Sequence, residues 1–191
     1  MNKTDKRADI IDVALNLIAQ RGFHDSPMAL IAQEAGVAAG TIYRYFESKD
    51  DLILTLNREL ENRIHEMILE EYPADGSIRE KFLYINRKVL TYFMDHPLHF
   101  RFMEQFFNSP YGISHRKEKL LGKSDSNSIM IDIFQKGIEE QIPKNLPMPA
   151  MYALAFGPLI TLLRDYILGF LRLDDEAIEQ FTQACWDAVK K

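Results

Sequence analysis

Apolar residues recur at three- and four-residue intervals along almost the entire 191-residue chain, and no run of β-branched residues alternates. That pattern confines the chain to an all-α fold. Ile10, Val13, Ala14, Leu17 and Ile18 predict an amphipathic helix over residues 5–20, stopped by Gly22. Ser26 as N-cap and Pro27 in the first turn predict a short helix through Ala35. Gly36 breaks it, and another short helix is expected over residues 38–46. Ser48 should cap a long helix, with Asp50 and Asp51 where the helix dipole favours acids. Its stripe is Leu52, Ile53, Leu56, Leu60, Ile64, Met67 and Ile68. After a break at residues 73–77, helices are expected over 77–94, 97–107, 115–140, 149–171 and 174–190. His96-Pro97, Asn108-Ser109-Pro110 and Pro143, Pro147 and Pro149 punctuate them.

Residues 30–46, Leu-Ile-Ala-Gln-Glu-Ala-Gly-Val-Ala-Ala-Gly-Thr-Ile-Tyr-Arg-Tyr-Phe, carry the most information. Ala32 is small enough for a second helix to pack closely over the first. Gly36, four residues later, suits the positive φ of a sharp helix exit. Val37, Ile42 and Phe46 are apolar and expected to face inward, with Ile42 locking the two helices together. Two short helices meeting at such a turn have the design of a helix-turn-helix.

The outward face of the second helix is then Ala38, Ala39, Gly40, Thr41, Tyr43 and Arg44, with Tyr45 at its end. A helix that enters the major groove needs a slim, polar-tipped face near its N-terminus. The alanines and glycine allow close approach. Thr41 and Tyr45 offer hydroxyls to phosphate, and Tyr43 can reach base edges or thymine methyls. Arg44 and Lys49 are placed to neutralise phosphates from the flank, and Lys3, Lys6 and Arg7 to form a small basic arm. The expected DNA-contacting set is these residues of the second helix with Ser26 and Lys49.

Phe23, Ile31-Ala32, Glu34-Ala35-Gly36-Val37 and Gly40-Thr41-Ile42-Tyr43-x-Tyr45-Phe46-x-Ser48-Lys49, followed by Asp51-Leu52, resemble the N-terminal signature of the TetR family of bacterial transcriptional regulators. The likeness covers about residues 7–52; beyond it the chain is similar to the family only in length and helical pattern. The resemblance implies a homodimer binding a palindromic operator on double-stranded DNA, usually a repressor released by a small ligand, and dimerisation through the last two helices. Pro27, Leu30 and the Ala38-Ala39 pair depart from the residues usual there, which removes a hydroxyl and a lysine that the pattern would offer to phosphate.

Charge narrows the class further. The chain holds 23 Lys+Arg against 28 Asp+Glu, a formal net charge of -5. A polycation that coats nucleic acid or anionic lipid is excluded, whereas a binder with cations gathered on one small face is not. Residues 1–50 have 6 basic and 7 acidic residues, so even the expected DNA-reading end is not net basic. Asp9, Asp12 and Glu34 should therefore point away from DNA. The lone cysteine, Cys185, allows no intramolecular disulfide, which suits a reducing cytoplasm. The polar N-terminus does not read as a secretory signal. The uncharged run at residues 151–163 is short for a membrane span, and Arg164 and Asp165 follow it, so a buried or interface helix is expected there.

The expected division is a helix-turn-helix domain over residues 1–50 and a larger helical effector-binding and dimerisation domain over residues 51–191. The second region is rich in aromatics and methionines, whose flat walls and adaptable shapes suit an apolar or aromatic effector. Phe93, Phe102, Met103, Phe106, Met130, Phe134, Tyr152, Phe156 and Arg164 are the candidate lining, although aromatics at helical spacing also build ordinary cores. Arg164 and Asp165 could pair with each other, hold a ligand or cross a dimer axis. Leu154, Thr161, Leu162, Ile178, Phe181 and Cys185 are the candidate dimer contacts of an intersubunit four-helix bundle. His96 and His99 have helical metal-ligand spacing but no third ligand at motif spacing, so no metal and no cofactor is expected. The basic segment from His115 to Lys123 reads as a solvated helix face. No catalytic triad order, phosphate loop or metal motif stands out, so an enzyme on a helical scaffold is the weaker alternative, beside a DNA-binding or interaction protein without a ligand.

Overall fold

The computed structural model describes residues 3–120 and 129–191. Ten α-helices stand among the described residues: α1 (Lys3–Arg21), α2 (Met28–Glu34), α3 (Ala39–Ile42), α4 (Lys49–Leu69), α5 (Ile78–Asp95), α6 (Pro97–Phe107), α7 (Pro110–Leu120), α8 (Ile129–Glu139), α9 (Met148–Ile167) and α10 (Asp175–Val189). The described residues contain no strand beyond one isolated antiparallel bridge, Pro143 to Lys190. The expected all-α chain is what forms.

Helix ends follow local chemistry. Ser48 caps α4 by accepting from the Asp51 amide at 3.1 Å, while the Asp51 carboxylate accepts from the Glu47 amide at 3.0 Å. At the start of α5 Ser77 and Glu80 form a reciprocal box, each side chain accepting from the other's amide, and Asp174 caps α10 by accepting from the Ala177 amide at 2.9 Å. Gly22, Gly36 and Gly169 take positive φ just past α1, α2 and α9.

Two expectations at helix ends are corrected. Ser26 does not cap α2: Pro27 holds that position, and the fully buried Ser26 hydroxyl donates to the Gly22 carbonyl at 2.8 Å. The helix expected to begin at residue 115 begins at Pro110, because Ser109 accepts from the Gly112 amide and opens the turn five residues earlier. α8 then ends at Glu139; the middle of the expected 115–140 helix and Lys123 lie outside the described residues.

The chain packs as two compact units. The first joins Met1–Arg63 to His96–Arg116, and the second joins Ile64–Asp95 to Lys117–Lys191. α4 is one continuous helix that contributes to both.

In the first unit, α1 packs on α6 and on α2. Its core holds Ile10, Ala14, Ile18, Ile31, Ala32, Ile42, Phe46, Leu52, Phe102 and Phe106, all essentially inaccessible. The Phe23 ring meets Phe102 edge-on at 6.2 Å and Tyr111 at 5.9 Å. Gln105 donates to the Ala19 carbonyl at 3.2 Å, and Tyr111 donates to Asp50 at 2.5 Å. His115 on α7 meets Glu61 on α4 at 3.1 Å. α6 and α7 thus close over the helices that precede them in the chain.

In the second unit α5 is central, packed on α8, α9 and α10. Phe82 lies 6.2 Å from Phe134 and 5.3 Å from Trp186, ring centre to ring centre. Ile85, Met130, Ile133, Met151, Ala155, Cys185 and Val189 complete this core. No helix of the described residues is long and apolar enough to cross a membrane.

Candidate nucleic-acid interface and effector region

The turn between α2 and α3 has the geometry its residues call for. Gly36 sits at φ +64°, a conformation that costs a side-chain-bearing residue about 1–2 kcal/mol. The Ala35 amide donates to Ile31, and the Val37 amide to Ala32, so the backbone groups freed at the exit of α2 stay paired. Ile42 is fully buried, as are Ala32 and Phe46, and Val37 is half-buried. α3 is a regular helix only to Ile42; turns carry the chain on, with the Arg44 amide bonded to Thr41 and the Phe46 amide to Ile42.

With Ile42 and Phe46 turned inward, the other face of α3 is open. Ala38, Ala39, Gly40 and Arg44 are exposed, and Thr41 and Tyr45 are half-buried. Tyr43 is 55% exposed, unusual for an aromatic side chain on so small a domain. A Cβ placed on Gly40 would meet no atom within 4 Å, so the glycine is not required by the packing of this chain. The face is slim, carries two tyrosines and one guanidinium, and suits insertion into a groove.

The cations of the expected flank are engaged differently. Arg7 pairs with Glu59 at 2.6 Å, and its guanidinium lies 5.6 Å over the Phe46 ring. Residues 3–7, which hold the expected basic arm, form the opening of α1. Lys49 donates through Nζ to the Phe23 carbonyl. Ser26, one of the expected DNA contacts, is buried and committed to Gly22, so its side chain cannot serve DNA. Asp9, Asp12 and Glu34 are exposed.

The nine residues expected to line an effector site do not form one cluster. Phe102, Met103 and Phe106 belong to the first unit, where Phe102 and Phe106 are fully buried core. Phe93, Met130, Phe134, Tyr152, Phe156 and Arg164 belong to the second. There the rings run in series: Phe134 to Tyr152 at 6.1 Å, then Tyr152 to Phe156 at 5.6 Å. Arg164 is exposed on α9, so it is not a buried charge in need of an anchor.

Of the expected dimer contacts, Thr161 is exposed, and Leu154, Leu162 and Phe181 are half-buried. Ile178 and Cys185 are corrected: both are buried within the unit, Cys185 in the same core as Phe82 and Trp186. Desolvation raises the Cys185 thiol to about 11, which makes it a packed hydrophobe and a poor nucleophile. Ala153, Gly157 and Ile160 on α9, and Leu168 just past its end, extend the outward stripe of Thr161 and Arg164 and are absent from the expected contacts. Ile160 and Leu168 are 41% and 53% exposed. The three- and four-residue spacing of the stripe was the available signal.

His96 and His99 stack, ring centres 4.9 Å apart, at the start of α6. Burial lowers His99 to about 4, helped by His96 and Arg63 and opposed by Asp12. Among the described residues no three His, Cys, Asp or Glu side chains gather as a metal site.

A turn geometry of this kind, with an open α3 face, defines a helix-turn-helix DNA-binding domain carried on a larger helical unit. Family models agree along the chain: residues 10–56 match the bacterial regulatory proteins of the tetR family, and residues 58–191 match the tetracyclin repressor-like C-terminal domain. The chain belongs to the TetR family of bacterial regulatory proteins. The fatty acid metabolism regulator protein of Bacillus subtilis is 37% identical over 86 residues, 45% of this chain and 44% of its own. The chain matches less than half the length of the first curated relatives. Two solved structures share the fold. One is a TetR family transcription regulator from Marinobacter aquaeolei VT8, with TM-score 0.84, 23% identity, and coverage of 98% of this chain and 96% of that one. The other is FadR of Bacillus subtilis in complex with stearoyl-CoA, with TM-score 0.69, 22% identity, and coverage of 94% and 95%.

Proposed function

We propose that the chain is a cytoplasmic repressor that binds a palindromic operator as a homodimer and is released by an elongated apolar effector. The observation that carries the DNA reading is the face of α3, opened by the inward turn of Ile42 and Phe46 behind a positive-φ glycine. Ala38, Ala39 and Gly40 give the clearance, Tyr43 reads bases, and Thr41, Arg44 and Tyr45 meet phosphate. Lys49 adds its charge while held by Phe23. The exposed α9 stripe, with Leu154, Leu162 and Phe181, supports a partner subunit packed along α9 and α10; Ala153 and Gly157 are small enough for close approach.

The effector would enter the second unit along Phe93, Met130, Phe134, Tyr152 and Phe156. The stearoyl-CoA held by the Bacillus subtilis relative supports a long acyl chain as its class. α4 belongs to both units, so a ligand that shifts the second unit acts on the first through a continuous helix. The two recognition helices must match successive major grooves about 34 Å apart, so a small change in their spacing lowers affinity.

The test is a gel shift on DNA upstream of the chain's own gene. Tyr43→Ala should weaken specific binding at least about ten-fold, roughly the value of one good base contact, and leave the melting temperature unchanged. Unchanged affinity would remove α3 as the reading helix. Acyl-CoA esters of twelve to eighteen carbons should release wild-type protein from the same DNA; a panel without effect would favour a ligand-independent regulator.

A further inference from the structure

Asn86 lies in the middle of α5 and is 0% exposed. Its side-chain Nδ2 donates to the Phe82 carbonyl one turn back, at 2.9 Å. Its Oδ1 is buried and has no hydrogen-bond partner. The bond to Phe82 fixes the orientation of the amide, since a flipped side chain would set two carbonyl oxygens against each other. The group left unsatisfied is therefore an acceptor.

The setting is the apolar core of the second unit. Phe82 and Leu90 stand one turn to either side on α5 and are fully buried. Phe82 leads by ring contact to Phe134 and so to Tyr152 and Phe156. A buried acceptor without a partner is costly, and an aliphatic side chain of the same volume would carry no such cost. Met130 and Met151, in the same core, are side chains that re-pack readily around a guest.

We propose that Asn86 is the polar anchor of the effector site, and that the effector is an elongated apolar molecule carrying one hydrogen-bond donor, a hydroxyl or an amide N–H, which Asn86 Oδ1 accepts. The inference rests on the effector reading given above and sharpens it, from any long apolar chain to one with a donor set into it. A site built around an acceptor discriminates strongly against the analogue that lacks the donor, because the acceptor then stays unpaired in an apolar surround.

The experiment compares 1-dodecanol with 1-methoxydodecane, which share the chain and differ in the donor. Both are titrated into the full-length protein, with binding read by calorimetry and by release of the upstream DNA. The alcohol should bind at least about ten-fold more tightly than the ether. Asn86→Leu should abolish that preference and still bind the ether, whereas a purely structural Asn86 would leave the preference in place. Equal binding of the two probes to wild-type protein overturns the role of Asn86 and leaves an apolar effector standing. Binding of neither probe overturns the inference, and the acyl-CoA panel described above decides the apolar effector separately. Should the leucine variant not fold, equal binding of the two probes to wild-type protein still overturns the inference.

Discussion

Side chains on and behind α3 do two separable jobs. Gly36 and Ile42 build the turn, and Gly40 and Tyr43 face outward from it. Gly40→Ala tests the separation. The new methyl meets nothing in the protein, and alanine favours a helix over glycine by about 1 kcal/mol, so the melting temperature should hold or rise. Operator affinity measured by fluorescence anisotropy should nonetheless fall, since the methyl stands on the face that approaches DNA. His99 gives a second prediction at this scale. Its folded value of about 4 lies below the ordinary value of 6.5 that it has in the unfolded chain, so its neutral form is favoured by folding. That contribution is complete above pH 6.5 and is lost as pH falls through 4. Thermal melts between pH 7 and 4 should show a steeper decline for wild type than for His99→Gln. Equal slopes would mean that the half-buried ring is solvated well enough to titrate normally.

At the scale of elements, periodicity and caps made most of the helices legible. Ser48, Ser77 and Asp174 mark their helix starts because a short oxygen side chain can take up a free amide there. Ser26 misled because the same chemistry can be satisfied backwards, and its hydroxyl turned to Gly22 instead. The candidate recognition face was legible for a related reason: Ile42 and Phe46 are the apolar members of a segment too short to hide anything else. The aromatics of α6 were not. Their spacing shows that they are buried but not against which helix, and Phe102 and Phe106 pack in the first unit beside Phe23 and His115. On α10, Ile178 and Cys185 were assigned to an interface for the same reason, since an inward stripe and an intersubunit stripe look alike in one chain. The outer face of α9 can be tested directly. Ile160→Asp places a charge on an exposed position, so it should leave the protomer folded by circular dichroism and shift the mass in light scattering from dimer to monomer. A dimer that survives the substitution would place the partner elsewhere.

For the whole molecule, the acidic balance sets how DNA is held. Arg7 is spent on Glu59, and Lys49 is partly spent on Phe23. Few cations remain for phosphate on each subunit, and about four is the most the expected face supplies. A dimer neutralising about eight phosphates should show a slope of log affinity against log salt no steeper than about −7. A steeper slope would require cations this charge map does not provide. Specificity then depends more on fit and base contact than on attraction to the backbone. The pairing of α6 and α7 with the N-terminal helices has a consequence for how the protein is made. A ribosome delivers α3 early, yet the ring that meets Phe23 and the amide that caps Ala19 are encoded only after residues 64–95 of the other unit. Until Phe102 and Gln105 emerge, the nascent reading head has a bare underside. A reporter fusion cut at residue 95 would inherit that unfinished state, and chaperones would engage it as they would an incomplete chain.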